Sequence, residues 1–298
     1  MMNAPFGKRG NAMKIWMNGE MTAREAARLD VFDHGALYGD GVFEGIRAYG
    51  GWAFKLGEHI DRLYESAKYI RLAVPYTKQE LSDAVARTLE ANGIEDGYVR
   101  LVVTRGAGTL GLNPFKCPKP TVFIIADQIA LYPKEMYEEG MAVIVAKTVR
   151  TSARSLPPWV KSLNYLNNIL AKIEAVDAGV AEAIMLNGSG RVAECTGDNL
   201  FIVEKGRVLT PPADAGILIG ITRAVVMRLA ADIGMETAEE EVSVERLHAA
   251  DECFLTGTAA EVIAVTKIDG RPVGDGSVGP VTRKFLTAFR KYVGSAEW

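Results

Sequence analysis

Lys161 follows Pro157-Pro158-Trp159-Val160 and is followed by Ser162-Leu163-Asn164-Tyr165-Leu166. The two prolines hold the backbone extended ahead of the lysine. Beyond it Leu163, Leu166, Leu170, Ile173 and Val176 recur at intervals of three and four up to Gly179, so a helix with that stripe buried is expected. A lysine between an apolar Trp-Val pair and such a face loses part of its hydration, which favours the neutral amine and suits it to Schiff-base chemistry. Taken alone it reads as a solvated loop lysine, since lysines are rarely buried.

Five other places offer complementary chemistry. Arg62 stands beside the stripe Ile60, Leu63, Ala67 and Ile70 of a helix starting near Glu58, where its planar fork can grip a phosphate or pair with a carboxylate. Tyr98 and Arg100 share one face of a strand over 98–105, with Val99, Leu101 and Val103 opposite. If the apolar face packs on helices, two adjacent donors are left that suit a carboxylate. Glu194 ends a strand inside a sheet region, where a carboxylate needs a partner: a structural salt bridge, or a protonated pyridine nitrogen. Gly220-Ile221-Thr222 opens a helix, and Gly257-Thr258-Ala259-Ala260 follows a strand. Unpaired amide groups and a positive dipole end make the first an anion site, and small residues with free amides make the second an anion concavity.

The segments bearing these residues resemble those of one family. Lys161-Ser-Leu-Asn-Tyr165-Leu is similar to the lysine segment of the class IV aminotransferases, pyridoxal-phosphate enzymes of fold type IV. Tyr38-Gly-Asp-Gly-Val-Phe43-Glu-Gly45-Ile-Arg47, Glu58-His-Ile-Asp-Arg62-Leu, Glu194-Cys-Thr-Gly-Asp-Asn199-Leu-Phe and Gly257-Thr258-Ala259-Ala260-Glu261 are similar to further segments of it, in family order. Tyr98-x-Arg100 and Gly-Thr-Ala-Ala resemble most the branched-chain amino acid aminotransferases.

The resemblance implies pyridoxal 5′-phosphate held by Lys161, with Tyr165 on its phenolic oxygen, Glu194 on its ring nitrogen and Leu218 packed on its ring. It gives the phosphate to Arg62 and Thr258, and the substrate α-carboxylate to the Thr258 and Ala259 amides. Tyr38, Phe43 and Gly45 fall in the side-chain pocket, Tyr98 and Arg100 on substrate carboxylates, and Leu112 on a loop that reaches a neighbouring subunit. The implied reaction is transamination of leucine, isoleucine and valine with 2-oxoglutarate as acceptor. The compact Lys-Ser-Leu-Asn-Tyr spacing is as similar to the D-amino-acid aminotransferases, and aminodeoxychorismate lyase of the same fold shares the lysine and the glutamate.

The elements that must position these groups follow from period and punctuation. Lys14 to Asn18 reads as a strand ending in an Asn-Gly turn, with a polar, helix-prone stretch behind it to Arg28. Val42 to Tyr49 is a strand turning at Gly50-Gly51, and Thr77-Lys-Gln-Glu80 is a capping box for a helix stopped at Gly93. Hairpins are expected around Asn187 to Gly190 and Lys205-Gly206, a short helix capped by Ser243, and a terminal helix from Pro280. The expected architecture is α+β: a smaller N-terminal α+β domain over 1–127, a link over 128–139 and a larger C-terminal domain over 140–298 carrying Lys161. The resemblance places the cofactor site in the cleft between them.

Composition narrows the classes. With 298 residues, a formal charge of −3 and no long basic run, the chain carries no electrostatic footprint for nucleic acid or anionic lipid. Met1 to Asn11 lacks an apolar leader core and no run approaches a membrane span, so a cytoplasmic protein is expected. Cys117, Cys195 and Cys253 lack metal or disulfide spacing. Expected partners are amino acids, 2-oxo acids and further copies of the chain, as a homodimer or higher homo-oligomer.

Overall fold

The computed structural model describes residues 13–129 and 132–295. The chain divides into two compact units between Ile129 and Ala130, each mixing helices and strands. Met1 to Asn11, read above for a leader, lies outside the described residues.

In the first unit β1 (Lys14–Met17) and β2 (Glu20–Ala23) pair as a hairpin, where the polar composition suggests a helix. Asn18 and Gly19 take positive φ of 50° and 101° and turn the chain back on itself, so the Asn-Gly signal outweighs the propensity behind it. There follow α1 (His34–Tyr38), β3 (Gly41–Tyr49), β4 (Trp52–Ala53), α2 (Leu56–Tyr69), α3 (Lys78–Asn92), β5 (Gly97–Thr104) and β6 (Thr121–Asp127). The strands form one antiparallel sheet in the order β2-β1-β6-β5-β3-β4.

Val42 and Ile46 of β3, Val99, Leu101 and Val103 of β5, and Ile124 of β6 pack with Ile60 and Leu63 of α2 and Leu81, Val85 and Leu89 of α3. Each such buried side chain contributes roughly 1.5–3 kcal/mol. α3 begins in the expected capping box, Thr77 and Glu80 each holding the other's backbone amide, and ends at Gly93 in the left-handed region. Period two then puts Phe43, Gly45, Tyr98 and Arg100 on the sheet face away from that core.

The second unit runs α4 (Lys134–Glu139), β7 (Met141–Val145), α5 (Leu166–Asp177), β8 (Glu182–Leu186), β9 (Val192–Cys195), β10 (Asn199–Glu204), β11 (Arg207–Thr210), α6 (Ile221–Asp232), β12 (Thr237–Glu239), α7 (Val244–His248), β13 (Glu252–Gly257), β14 (Glu261–Ile268), β15 (Arg271–Pro272) and α8 (Pro280–Ser295). α4 thus occupies the stretch expected as a link. The mixed sheet has the order β12-β11-β10-β13-β14-β7-β8-β9, with β15 on β14. β7 and β8 are parallel neighbours, so the chain between them must cross over, and it does so through the Lys161 loop and α5.

α5 departs from expectation. Asn168, Ala171 and Ala175 face inward, while Leu166, Leu170, Ile173 and Val176 are 67%, 47%, 49% and 65% exposed. The space under the helix is lined by Ala146, Ala183 and Met185, which leaves room for alanines and not for leucines. The helix ends at Asp177, ahead of Gly179 with φ +71°. Among the described residues no helix is long and apolar enough to cross a membrane.

Candidate active site

Lys161 lies between the buried Val160 and the buried Ser162 and is itself only partly covered. Its Nζ donates to the Tyr165 hydroxyl at 2.9 Å and stands 5.3 Å from that ring's centroid. A Ser162 to Val160 backbone bond at 2.8 Å and a Tyr165 to Leu163 bond at 3.0 Å fold the segment tightly, which brings residues four apart together without a helix. Pro157, Pro158 and Val160 ahead of the lysine are buried, whereas the stripe of α5 behind it is exposed.

Glu194, on β9, is buried and held from three sides. Arg150 Nε donates to Oε1 at 2.9 Å, and the Leu218 amide and Asn199 Nδ2 donate to Oε2 at 2.9 and 3.2 Å. Burial pushes its carboxyl above the usual carboxylate range, against the pull of Arg150, the Leu218 amide and the charge of Lys161. A carboxylate has about four acceptor positions, so three donors leave capacity for one more.

Asn199 is the tie between this carboxylate and the start of α6. Its Nδ2 also donates to the Leu218 carbonyl at 2.9 Å, and its Oδ1 would lie 1.9 Å from a Cβ built on Gly220. Glycine is needed at 220 for that close approach. Gly220 is the N-cap of α6 and no side chain caps it, so the first amides, those of Ile221 and Thr222 among them, are presented to whatever lies ahead of the helix. Thr258 and Ala259 form the partly exposed turn between β13 and β14, and the Asn199–Thr256 register sets that turn beside the same strand end. Thr256 Oγ1 is buried there without a hydrogen-bond partner in the structure.

In the first unit, Arg100 lies with its guanidinium 4.5 Å from the Phe43 ring centroid and 5.5 Å from that of Tyr98, and donates to the Tyr98 hydroxyl at 3.4 Å. A Cβ on Gly45 would fall 1.7 Å from the Tyr98 hydroxyl, so the glycine makes the space the phenol occupies. Tyr38 joins a different group: its hydroxyl accepts from the Gly111 amide at 3.0 Å, in the loop that exposes Leu110 and Leu112 at 71% and 80%.

Arg62 gives Nε and Nη2 to Glu44 at 2.7 Å each, and His59 Nδ1 lies 2.7 Å from the same carboxylate. Glu44 sits on the helix-facing side of β3 among Val42, Ile46 and Ala48, fully buried. Burial alone would raise its pKa, but Arg62 and then His59 outweigh it and hold the carboxyl down at about 2. Sequence reading singled out neither Glu44 nor Arg150. The signal for Glu44 was a charge in step with an apolar face, whereas Arg150 lies 44 residues from its partner with nothing local to mark it.

The donor set fits a phosphorylated pyridine aldehyde. An amine beside a phenol, a buried carboxylate with one open acceptor position, an uncapped helix start and an unpartnered hydroxyl match its carbonyl, ring nitrogen and phosphate. Among the described residues no group of three or more acidic, histidine or cysteine side chains could hold a metal ion.

Residues 41–268 match the family described as amino-transferase class IV. The chain is 51% identical over 278 residues to a putative branched-chain-amino-acid aminotransferase of Methanocaldococcus jannaschii, covering 93% of this chain and 96% of that one. It superposes on the crystal structure of the branched-chain amino acid aminotransferase of Escherichia coli with a TM-score of 0.93 at 36% identity, covering 97% and 98% of the two chains. The branched-chain aminotransferase of the thermophilic archaeon Thermoproteus uzoniensis, solved with norvaline, gives 0.90 at 41% identity over 96% and 97%.

Proposed function

The chain belongs to the class IV aminotransferases, and on that premise we propose that it transfers amino groups from leucine, isoleucine and valine to 2-oxoglutarate on pyridoxal 5′-phosphate. The products are branched-chain 2-oxo acids and glutamate. The observation that carries the reading is the set of Lys161 on Tyr165 and Glu194 on Asn199 and Leu218, a nucleophilic amine whose charge acts on a buried acceptor.

When bound, pyridoxal phosphate supplies an aldehyde carbon that amines can take and a ring that accepts the electron pair left at a substrate α-carbon. Lys161 Nζ is the amine that would hold the aldehyde and, when free, would take up the proton released at the substrate α-carbon. Tyr165, 2.9 Å from that nitrogen, fixes the amine's direction and takes the ring's phenolic side. Glu194 would keep a proton on the ring nitrogen, and Arg150 opposes the effect of burial on its carboxyl. Leu218 packs against the ring. The Gly220, Ile221 and Thr222 start of α6, Thr258 and Arg62 hold phosphate, with Glu44 fixing the plane of the Arg62 fork.

The Thr258 and Ala259 amides receive the α-carboxylate. Phe43 forms apolar wall, Gly45 makes room for the Tyr98 phenol, Tyr98 and Arg100 answer a second carboxylate, and Tyr38 with Leu112 serves a neighbouring copy in a homodimer or higher assembly. An aliphatic surface with one cation at its edge accommodates leucine and glutamate in turn, because an unpaired carboxylate on apolar wall alone would be strongly disfavoured. Half-reactions with a panel of L- and D-amino acids, followed by cofactor absorbance, test this. Bleaching by L-leucine and L-glutamate and not by D-alanine is expected, and the reverse pattern overturns the substrate assignment.

A further inference from the structure

A second pair of buried carboxylates lies in the same unit and has no part in the reaction as described. Glu182, at the start of β8, accepts from Lys172 Nζ at 2.8 Å, from the Thr196 amide at 2.9 Å and from the Ala183 amide at 3.0 Å. Both of its oxygens are thus engaged. Asp198, in the turn between β9 and β10, is 7% exposed, and its Oδ2 accepts from the Tyr132 hydroxyl at 3.4 Å. Its Oδ1 presses on the next strand, where a Cβ on Gly257 would meet it at 1.9 Å. Asp198 therefore touches the backbone that leads directly into the Thr258–Ala259 turn.

The groups facing Asp198 leave it without a cation. Lys172 of α5 is spent on Glu182 of β8, Tyr132 precedes α4, and Glu194 and the thiol of Cys195 lie on β9, whose burial and acidic neighbours keep that thiol neutral. Burial first, and the Glu182 charge second, raise the Asp198 carboxyl to about 7 against the pull of Lys172 and the Tyr132 hydroxyl. The protonated group is a neutral brace against Gly257, and the ionised group is an unpaired charge behind a turn of exposed amides.

We propose that Asp198 is a positioning residue for the substrate carboxylate, bracing the Gly257–Ala259 turn in either state and, once ionised, opposing an anion on that turn. This rests on the reading that the Thr258 and Ala259 amides take that carboxylate. Affinity for carboxylate ligands then falls as pH rises through the Asp198 transition. The brace itself persists in both states, so the effect is on binding and not on the amine chemistry at Lys161.

The test uses the cofactor-loaded full chain and 4-methylvaleric acid, whose own carboxyl stays ionised across the range. The wild-type dissociation constant is expected to rise on the order of ten-fold between about pH 6 and about pH 9. Asp198→Asn should hold its low-pH affinity throughout, and Tyr132→Phe, lacking the hydroxyl that favours the charged form, should move the midpoint upward. A pH slope unchanged in Asp198→Asn, or a midpoint unmoved in Tyr132→Phe, overturns the proposal. Infrared difference spectra of the cofactor-free protein across the same range should show loss of a carboxylic-acid carbonyl band that Asp198→Asn lacks, and its absence in the parent equally overturns it. Wild-type protein that takes up cofactor but binds no 4-methylvaleric acid at any pH refutes the carboxylate assignment itself, a different outcome from binding whose slope ignores Asp198.

Discussion

At the scale of single residues, two side chains separate chemistry from recognition. Lys161 is in a loop, and its Nζ bonds to Tyr165 without supporting any core cluster, so Lys161→Ala should abolish turnover while leaving thermal unfolding close to the parent's. Borohydride reduction of the loaded parent should attach the cofactor to Lys161, and a label on Lys172 instead would refute the assignment, since Lys172 is occupied by Glu182. Arg100 belongs to recognition. It lies over Phe43 and beside Tyr98, where it can pair with a distal carboxylate and can be passed over by an aliphatic chain. Arg100→Ala should raise KM for 2-oxoglutarate by about 10- to 100-fold, the loss of a charged hydrogen-bonded pair, and change KM for leucine far less. Equal loss on both substrates would make Arg100 a support of the pocket and not the reader of the second carboxylate.

At the scale of elements, α5 shows where sequence periodicity stops being informative. The stripe Leu166, Leu170, Ile173 and Val176 has the spacing of a core face, yet Ala171 and Ala175 are the residues with no exposure. Periodicity identifies an apolar face but not what covers it, and the width of the gap over Ala146 and Ala183 is set by the packing of α5 on its flanking strands β7 and β8. Ala171→Leu should therefore destabilise the protein by about 1–3 kcal/mol through overpacking, more than Ile173→Ala does, as read by denaturant unfolding. The opposite ranking would mean that the outer face carries the stability. Elsewhere the elements were legible because their ends carry local chemistry: the Thr77–Glu80 box, the glycine after α3 and the Ser243 cap of α7 all stand where the sequence puts them. The lysine, glutamate and glycine-rich anion segments were legible for the same reason. Glu44, Arg150 and Asp198 were not, because each is defined by a partner 15 or more residues away or by a backbone pressed against it.

At the scale of the whole molecule, the two units carry buried carboxylates whose titrations act in opposite directions. Glu44 of the first unit has its folded pKa lowered to about 2 from 4.5, so its contribution is present above the unfolded value and is lost as pH falls through the folded one. Asp198 of the second unit is raised from 3.8 to about 7, so its contribution is present below the unfolded value and is lost as pH rises through the folded one. On acidification the second unit's carboxyl therefore gains its proton first, near pH 7, and the first unit's charged triad weakens later, between about 4.5 and about 2. Glu44→Gln isolates the first effect. At neutral pH it leaves the Arg62 fork and His59 facing a neutral amide inside the core, and should cost about 3 kcal/mol by the size of the shift. That deficit should shrink as pH falls below about 4.5 and vanish only below about 2, where the parent's own Glu44 becomes neutral. Urea unfolding of parent and variant across that range measures it directly. A deficit that stays constant down to the lowest pH would mean that the cost is one of shape in the core, and that the Glu44 charge does not hold Arg62 and α2 in place.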